Sequence, residues 1–153
     1  MTSALWLSLF LGAIAWAGDL EPIAELGAAP SWDLSGGASI GPTVAVEVTP
    51  IEHWLELEAG VTPSFSHHST EWGTDLLFKK PWTLSKKVEF MAGIGPEWIH
   101  ERGANLLAGE AALDFMFWPA RKRRFGWYVE PGYEWHGHDR SAEVSGGLLI
   151  ALP

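Results

Sequence analysis

From Ala104 to Trp118 the odd positions Asn105, Leu107, Gly109, Ala111, Leu113, Phe115 and Phe117 are mostly apolar, while the even positions include Glu110 and Asp114. A repeat of two is that of a strand, whose successive side chains point to opposite faces. The same division recurs along the chain. Ala24, Leu26 and Ala28 oppose Glu25; Val44, Val46 and Val48 oppose Glu47; Leu55, Leu57, Val61 and Phe65 oppose Glu56 and Glu58. Trp72, Leu76 and Phe78 oppose Glu71, Asp75 and Lys79, and Val88, Phe90, Ile94 and Trp98 oppose Lys87, Glu89 and Glu97. Phe125, Trp127, Val129, Tyr133 and Trp135 oppose Arg124, Glu130, Glu134 and His136, and Val144, Leu148, Ile150 and Leu152 oppose Glu143 and Ser145. Two architectures satisfy this pattern: a soluble sheet with its apolar face on a core, or a barrel with water inside and lipid outside.

With 153 residues the chain is sized for one domain. Its 47% hydrophobic content, ten Trp and only 19% charged residues exclude disorder for most of it and are rich for a soluble protein of net charge -9. Residues 1–17 carry no charged side chain, hold an apolar run from Leu5 to Ala15 and end in Ala15-Trp16-Ala17, an A-x-A cleavage pattern. We read 1–17 as a secretory signal peptide and 18–153 as the exported domain, since the run is shorter than the roughly 20 apolar residues of a spanning helix. There is no cysteine, so disulfides, thiol chemistry and a lipoprotein-type anchor are all excluded.

Eight strand-like segments are expected, near Pro22 to Ala29, Gly37 to Thr49, His53 to Ser66, Ser69 to Lys79, Lys86 to His100, Ala104 to Trp118, Arg124 to His136 and Ser141 to Leu152. Glycine and proline are frequent inside them, as in small barrels that bend and pack closely. The aromatic residues of the apolar parity bunch near strand ends. Phe65, Trp72, Trp98, Tyr133 and Trp135 fall toward one end, and Phe78, Phe90, Phe115, Phe117, Phe125 and Trp127 toward the other. Because alternate strands run in opposite directions, these sets form two rings, separated by roughly 20 Å along Trp127 to Trp135 and close to the ~25 Å apolar band of bacterial barrels.

On this pattern the mature chain resembles the small eight-stranded outer-membrane barrels of the OmpA/OmpX type. The ending Ser145-Gly146-Gly147-Leu148-Leu149-Ile150-Ala151-Leu152 is similar to the terminal strand by which such proteins are recognised for insertion, although here the chain finishes on Leu152-Pro153 rather than on an aromatic residue. The resemblance implies an all-β fold, an eight-stranded antiparallel up-and-down transmembrane barrel. It also implies a bacterial outer-membrane location, with outer-membrane lipid and the barrel-insertion machinery as partners.

An eight-stranded lumen is only wide enough for side chains, so a general pore is not expected. Glu47, Glu56, Glu58, Glu71, Asp75, Glu89, Glu97, Glu110, Asp114, Glu130 and Glu134, with the bases Lys79, Lys87 and Arg124, are expected to form a lumenal network that shares protons and hydrogen bonds and holds the register. The basic residues gather near the turns expected on the periplasmic side, around 50–52, 80–85 and 119–123, where they read as solvated surface. His67, His68, His100, His136 and His138 gather at the other end and are candidate ligands for a transition metal. No fixed ligand spacing such as H-E-x-x-H accompanies them, and no cofactor is expected. His67-His68-Ser69 with Glu71 is the nearest approach to the site of a lipid A-modifying outer-membrane enzyme, but no nucleophile elbow, P-loop or dinucleotide fingerprint is present. The acidic balance argues against nucleic acid. The expected function is therefore a non-enzymatic envelope protein with a plugged acidic lumen. A lipocalin-like soluble ligand carrier and a lipid A-modifying enzyme are the alternatives.

Overall fold

The computed structural model describes residues 21–152 apart from 68, 102 and 121; the expected signal peptide, 1–17, lies outside the described residues. Eight strands follow one another: β1 (Ile23–Asp33), β2 (Ala38–Ile51), β3 (Leu55–Phe65), β4 (Thr70–Thr83), β5 (Val88–Glu101), β6 (Ala104–Phe117), β7 (Phe125–His136) and β8 (Asp139–Ala151). Each pairs antiparallel with its sequence neighbours, and β1 pairs with β8, with Leu26 opposite Leu148, to close an all-β barrel. Closure matters because an open sheet would leave two rows of backbone donors and acceptors unpaired.

The strands alternate as their sequences require, with the charged parity turned inward. Glu25, Glu47, Glu58, Glu97, Glu110, Asp114, Glu130 and Lys79 are buried, whereas Leu26, Val44, Phe65, Trp72, Phe78, Ile94, Leu107, Leu113, Trp127 and Leu148 are exposed on the outside. In register, Glu47 lies beside Glu58 and Glu110 beside Glu134.

The strands are longer than proline placement suggests. β4 runs on through Pro81 to Thr83, because its pairing with β3 has already ended at Lys79 and no partner there needs the N–H that Pro81 lacks. β1 likewise passes through Pro30, and its pairing with β8 skips Ala29 and Pro30. The hairpins at the end to which β1 runs are short: residues 34–37, 66–69, 102–103 and 137–138. Gly103 and Gly137 have positive φ, 85° and 58°, which closes the two-residue turns at little steric cost. We call this the acidic end. The opposite, basic end holds Ile23 and Ala151, together with the turns 52–54, 84–87 and 118–124.

The narrow ring forces close approaches that tolerate no Cβ. At Gly95 an added Cβ would fall on the carbonyl oxygen of Leu76 and 3.1 Å from the Leu77 Cα. At Gly132 the nearest atom would be Glu110 Oε1 at 3.6 Å. Gly95→Ala is expected to lower stability by about 1–3 kcal/mol, and Gly132→Ala to change it far less; chemical denaturation of the two variants against the parent checks the contrast.

Candidate functional site

The interior is built in three layers, each set by the inward residues of all or most of the strands. At the acidic end a cavity of about 530 Å³ is lined by Asp33, Glu71, Asp75, Glu97, Glu101, Glu110, Glu134 and Glu143, with Arg140 and His136 at its edge. Ser141 Oγ donates to Glu134 Oε2 at 2.8 Å, and Ser69 Oγ lies 3.5 Å from Glu71 Oε1. Deeper on the wall, Thr62 Oγ1 donates to Thr43 Oγ1 at 2.8 Å. Asp75 Oδ1 and Glu97 Oε2 are buried with no donor.

The middle layer is organised by one cation. Lys79 projects from β4 into the barrel, 1% exposed, and its Nζ donates to Glu58, to Glu130 and, at 3.3 Å, to Asp114 Oδ2. These are partners from β3, β7 and β6, so one side chain ties four strands across the interior. An ammonium has three protons and here all three are directed at carboxylates. Glu25 and Glu47 complete the layer, and neither receives a hydrogen bond from Lys79.

The third layer, at the basic end, is apolar. Met91, Met116, Trp118, Tyr128 and Leu149 pack together inside the barrel with Ile23 against them. Trp118 Nε1 donates to Glu89 Oε2 at 3.2 Å, and Glu89 also pairs with Arg123. The floor residues lie on the same parity as the acids. The signal that could have found them is therefore the departure from charge at positions 91, 116, 128 and 149.

Of the residues expected in a lumenal network, Glu47, Glu58, Glu97, Glu110, Asp114, Glu130 and Lys79 are buried inside, and Glu56, Glu71, Asp75, Glu89 and Glu134 are partly buried. Lys87 and Arg124 are a correction. Both are exposed in the turns just before β5 and β7, where a long cationic side chain reaches water and has no need of a lumenal carboxylate. Lys79 is left as the sole lysine or arginine among the buried described residues.

The expected aromatic rings are laid out on the exterior. At the acidic end stand Phe65, Trp72, Trp98 and Tyr133, joined by Trp32, while Trp135, stacked on Tyr133 at 6.3 Å between ring centroids, is half-buried and also borders the acidic cavity. At the basic end Phe90 lies between Trp82 and Phe115, at 5.5 and 5.0 Å between ring centroids, and Phe117 stacks on Trp127 at 4.2 Å; Phe125 stands beside them. Phe78 lies further along its strand, opposite Ile94 and four residues in from Trp82. Trp32 and Trp82, which the strand limits drawn from sequence excluded, are exposed members of the exterior, and Trp54, inside the expected segment His53 to Ser66, is exposed in the turn before β3.

The loop histidines are held separately. His100 Nδ1 lies 2.6 Å from Asn105 Oδ1, and His136 Nδ1 lies 2.8 Å from the carbonyl of Leu107. His67 and His138 belong to different hairpins, and His68 is outside the described residues. Among the described residues, the one group of ligating side chains that converges is elsewhere, in the middle layer: Glu25, Glu47, Glu58 and Asp114. Ser69 Oγ is 2.9 Å from Ser66 Oγ, so its neighbour is another hydroxyl as well as Glu71.

No family model and no curated protein matches the chain in sequence. Its fold does match solved structures. Neisserial surface protein A superimposes with a TM-score of 0.64 at 12% identity, covering 87% of this chain and 97% of that one. Ail, the attachment invasion locus protein of Yersinia pestis, gives 0.60 at 11% identity, over 86% of this chain and 98% of that one. The N-terminal β-barrel domain of Pseudomonas aeruginosa OprF gives 0.59 at 8% identity, over 86% and 99%. The chain therefore has the fold of the eight-stranded outer-membrane barrels.

Lys79→Met leaves Glu58, Asp114 and Glu130 facing one another without their shared cation. Removing one partner of a buried ionic group costs on the order of 3–5 kcal/mol, and a loss of that size is expected in denaturant titration. Lys80→Met, whose ammonium contacts the carbonyl of His53 at the rim, is expected to change little.

Proposed function

We propose that the protein is an outer-membrane β-barrel without catalytic activity, serving an envelope structural or surface-interaction role, with its basic end in the periplasm and its acidic end outside. The observation that carries this reading is the inverted arrangement of polarity. Eight carboxylate- or lysine-bearing positions are buried, while Leu, Ile, Val, Phe and Trp side chains stand 38% to 67% exposed around the exterior. A belt of that extent on a soluble monomer would be a severe aggregation hazard, and acyl chains are the solvent that suits it. A lipocalin-like carrier needs the opposite arrangement.

The dimensions support the same reading. The strands contain 11 to 14 residues, and roughly 9–11 tilted residues cross a hydrocarbon core. The aromatic side chains near both strand ends suit the two interfaces, and the exposed Lys86, Lys87, Lys122, Arg123 and Arg124 suit an anionic periplasmic leaflet. The last strand, β8, from Asp139 to Ala151, is the segment through which the insertion machinery would act.

The short hairpins leave a small external face, so surface interaction would take place at the acidic rim. The Yersinia pestis protein is also known bound to a heparin analogue, sucrose octasulfate. The rim here carries Asp33, Glu71, Glu101, Glu134 and Asp139 and disfavours a polyanion of that kind. With the apolar floor beneath the charged layers, we further infer that the barrel is plugged and does not conduct.

Fractionation of cells expressing the chain should place it in the outer membrane, released only by detergent. The unboiled protein should migrate differently from the boiled protein on a gel, and release by buffer alone would refute the reading. Ile94→Arg, at a 58% exposed position in the middle of β5, should cost about 2–4 kcal/mol of stability in lipid, measured by reversible denaturation in bilayers.

A further inference from the structure

We propose that Glu25, Glu47, Glu58 and Asp114 form a buried binding site for a hard divalent cation of the calcium type. The four carboxylates come from β1, β2, β3 and β6, and each offers one oxygen to a group in which all such atoms lie within 4.8 Å of one another. Oxygens bound to one calcium ion at 2.3–2.6 Å can stand up to roughly 5 Å apart, against roughly 4.2 Å around magnesium at 2.0–2.1 Å. All four oxygens are thus within the reach of one calcium ion; magnesium keeps several waters, for which a buried cage of carboxylates has little room, and the all-oxygen donor set disfavours zinc.

The second observation is the state of the oxygens themselves. Glu47 is 1% exposed and no N–H, ammonium or alcohol donor reaches either of its carboxylate oxygens; the polar group beside it is another carboxyl, that of Glu56. Glu25 Oε1 and Asp114 Oδ1 are likewise buried without a donor, at 1% and 0% exposure. Asp114 therefore faces two ways, turning Oδ2 to Lys79 and leaving Oδ1 free. Lys79 has committed its protons to Glu58, Asp114 and Glu130 and has none for Glu25 or Glu47. One ammonium thus faces five carboxylates in the interior of a barrel, where an uncompensated charge is costly. A divalent ion on the Glu25 and Glu47 side would raise the positive charge in the layer from one to three and give one oxygen of each of the four carboxylates a partner.

Access is from the acidic end. Asp75, Glu97 and Glu110 line the cavity on the way down to the Lys79 layer, and a path of one sign concentrates cations along it.

The test uses the purified chain, folded in detergent micelles, stripped with EDTA and titrated calorimetrically with CaCl2. One saturable equivalent per chain is expected, with Glu25→Gln and Glu47→Gln each binding at least tenfold more weakly, Glu52→Gln, exposed in the turn 52–54 at the basic end, binding as the parent does, and MgCl2 at least tenfold more weakly. Absence of saturable heat, undiminished binding in Glu47→Gln, or an equal loss in Glu52→Gln overturns the site. Each variant's gel migration before and after boiling reports whether the barrel has formed, independently of the ion. Should a Gln variant fail to fold, the parent carries the test: its denaturation midpoint must rise saturably with calcium, and a midpoint equal in calcium and in EDTA refutes the proposal.

Discussion

Closure of β1 onto β8 is the constraint on which the rest depends. In a flat sheet both faces can find solvent or a second layer. In a closed ring of eight strands the inward parity is enclosed, and its side chains must satisfy one another in a space about as wide as they are long. That is why one lysine matters so much here. Lys79 is at once the cation that offsets Glu58, Asp114 and Glu130 and a brace between β4 and three other strands.

The interior separates its demands by height. Carboxylates at the mouth of the acidic end, Glu71 and Glu134 among them, border a cavity of about 530 Å³ and lean on hydroxyls, whereas Asp75 and Glu97 below them each keep one oxygen buried without a donor. In the middle the protein supplies Lys79, yet leaves oxygens of Glu25, Glu47 and Asp114 without donors. At the basic end Met91, Met116, Trp118, Tyr128 and Leu149 replace charge with close packing. The exterior shows the complementary economy, since its Leu, Ile, Val and Phe side chains require no hydrogen bonds and its Trp and Tyr stand near the strand ends.

Much of this was legible in the residues themselves, and the parts that were not have specific causes. Parity assigned Glu58, Asp114 and Glu130 to one face and Leu113, Ile94 and Trp127 to the other, because a strand's repeat is fixed by backbone geometry. Parity is silent about height, which is why Lys87 and Arg124 were placed with the lumenal acids although both sit in turns open to solvent. The expected limit of the fourth segment at Lys79 left out the last turnward residues of β4 and with them Trp82; the strand runs on through Pro81 where its neighbour β3 has already ended. The loop histidines looked like a group because their hairpins share one end of the barrel, whereas His100 and His136 are held on separate partners.

The sequence by itself determined the strand count, the two faces of every strand and the fold class, because each is a property of local alternation and of the turns between. It could not determine which carboxylates meet. The convergence of Glu25, Glu47, Glu58 and Asp114 on one another, and of Lys79 on three acids 21, 35 and 51 residues away, depends on register between strands and on the stagger with which the ring closes. Those are settled by pairing over the whole sheet, and no segment of the chain carries them alone.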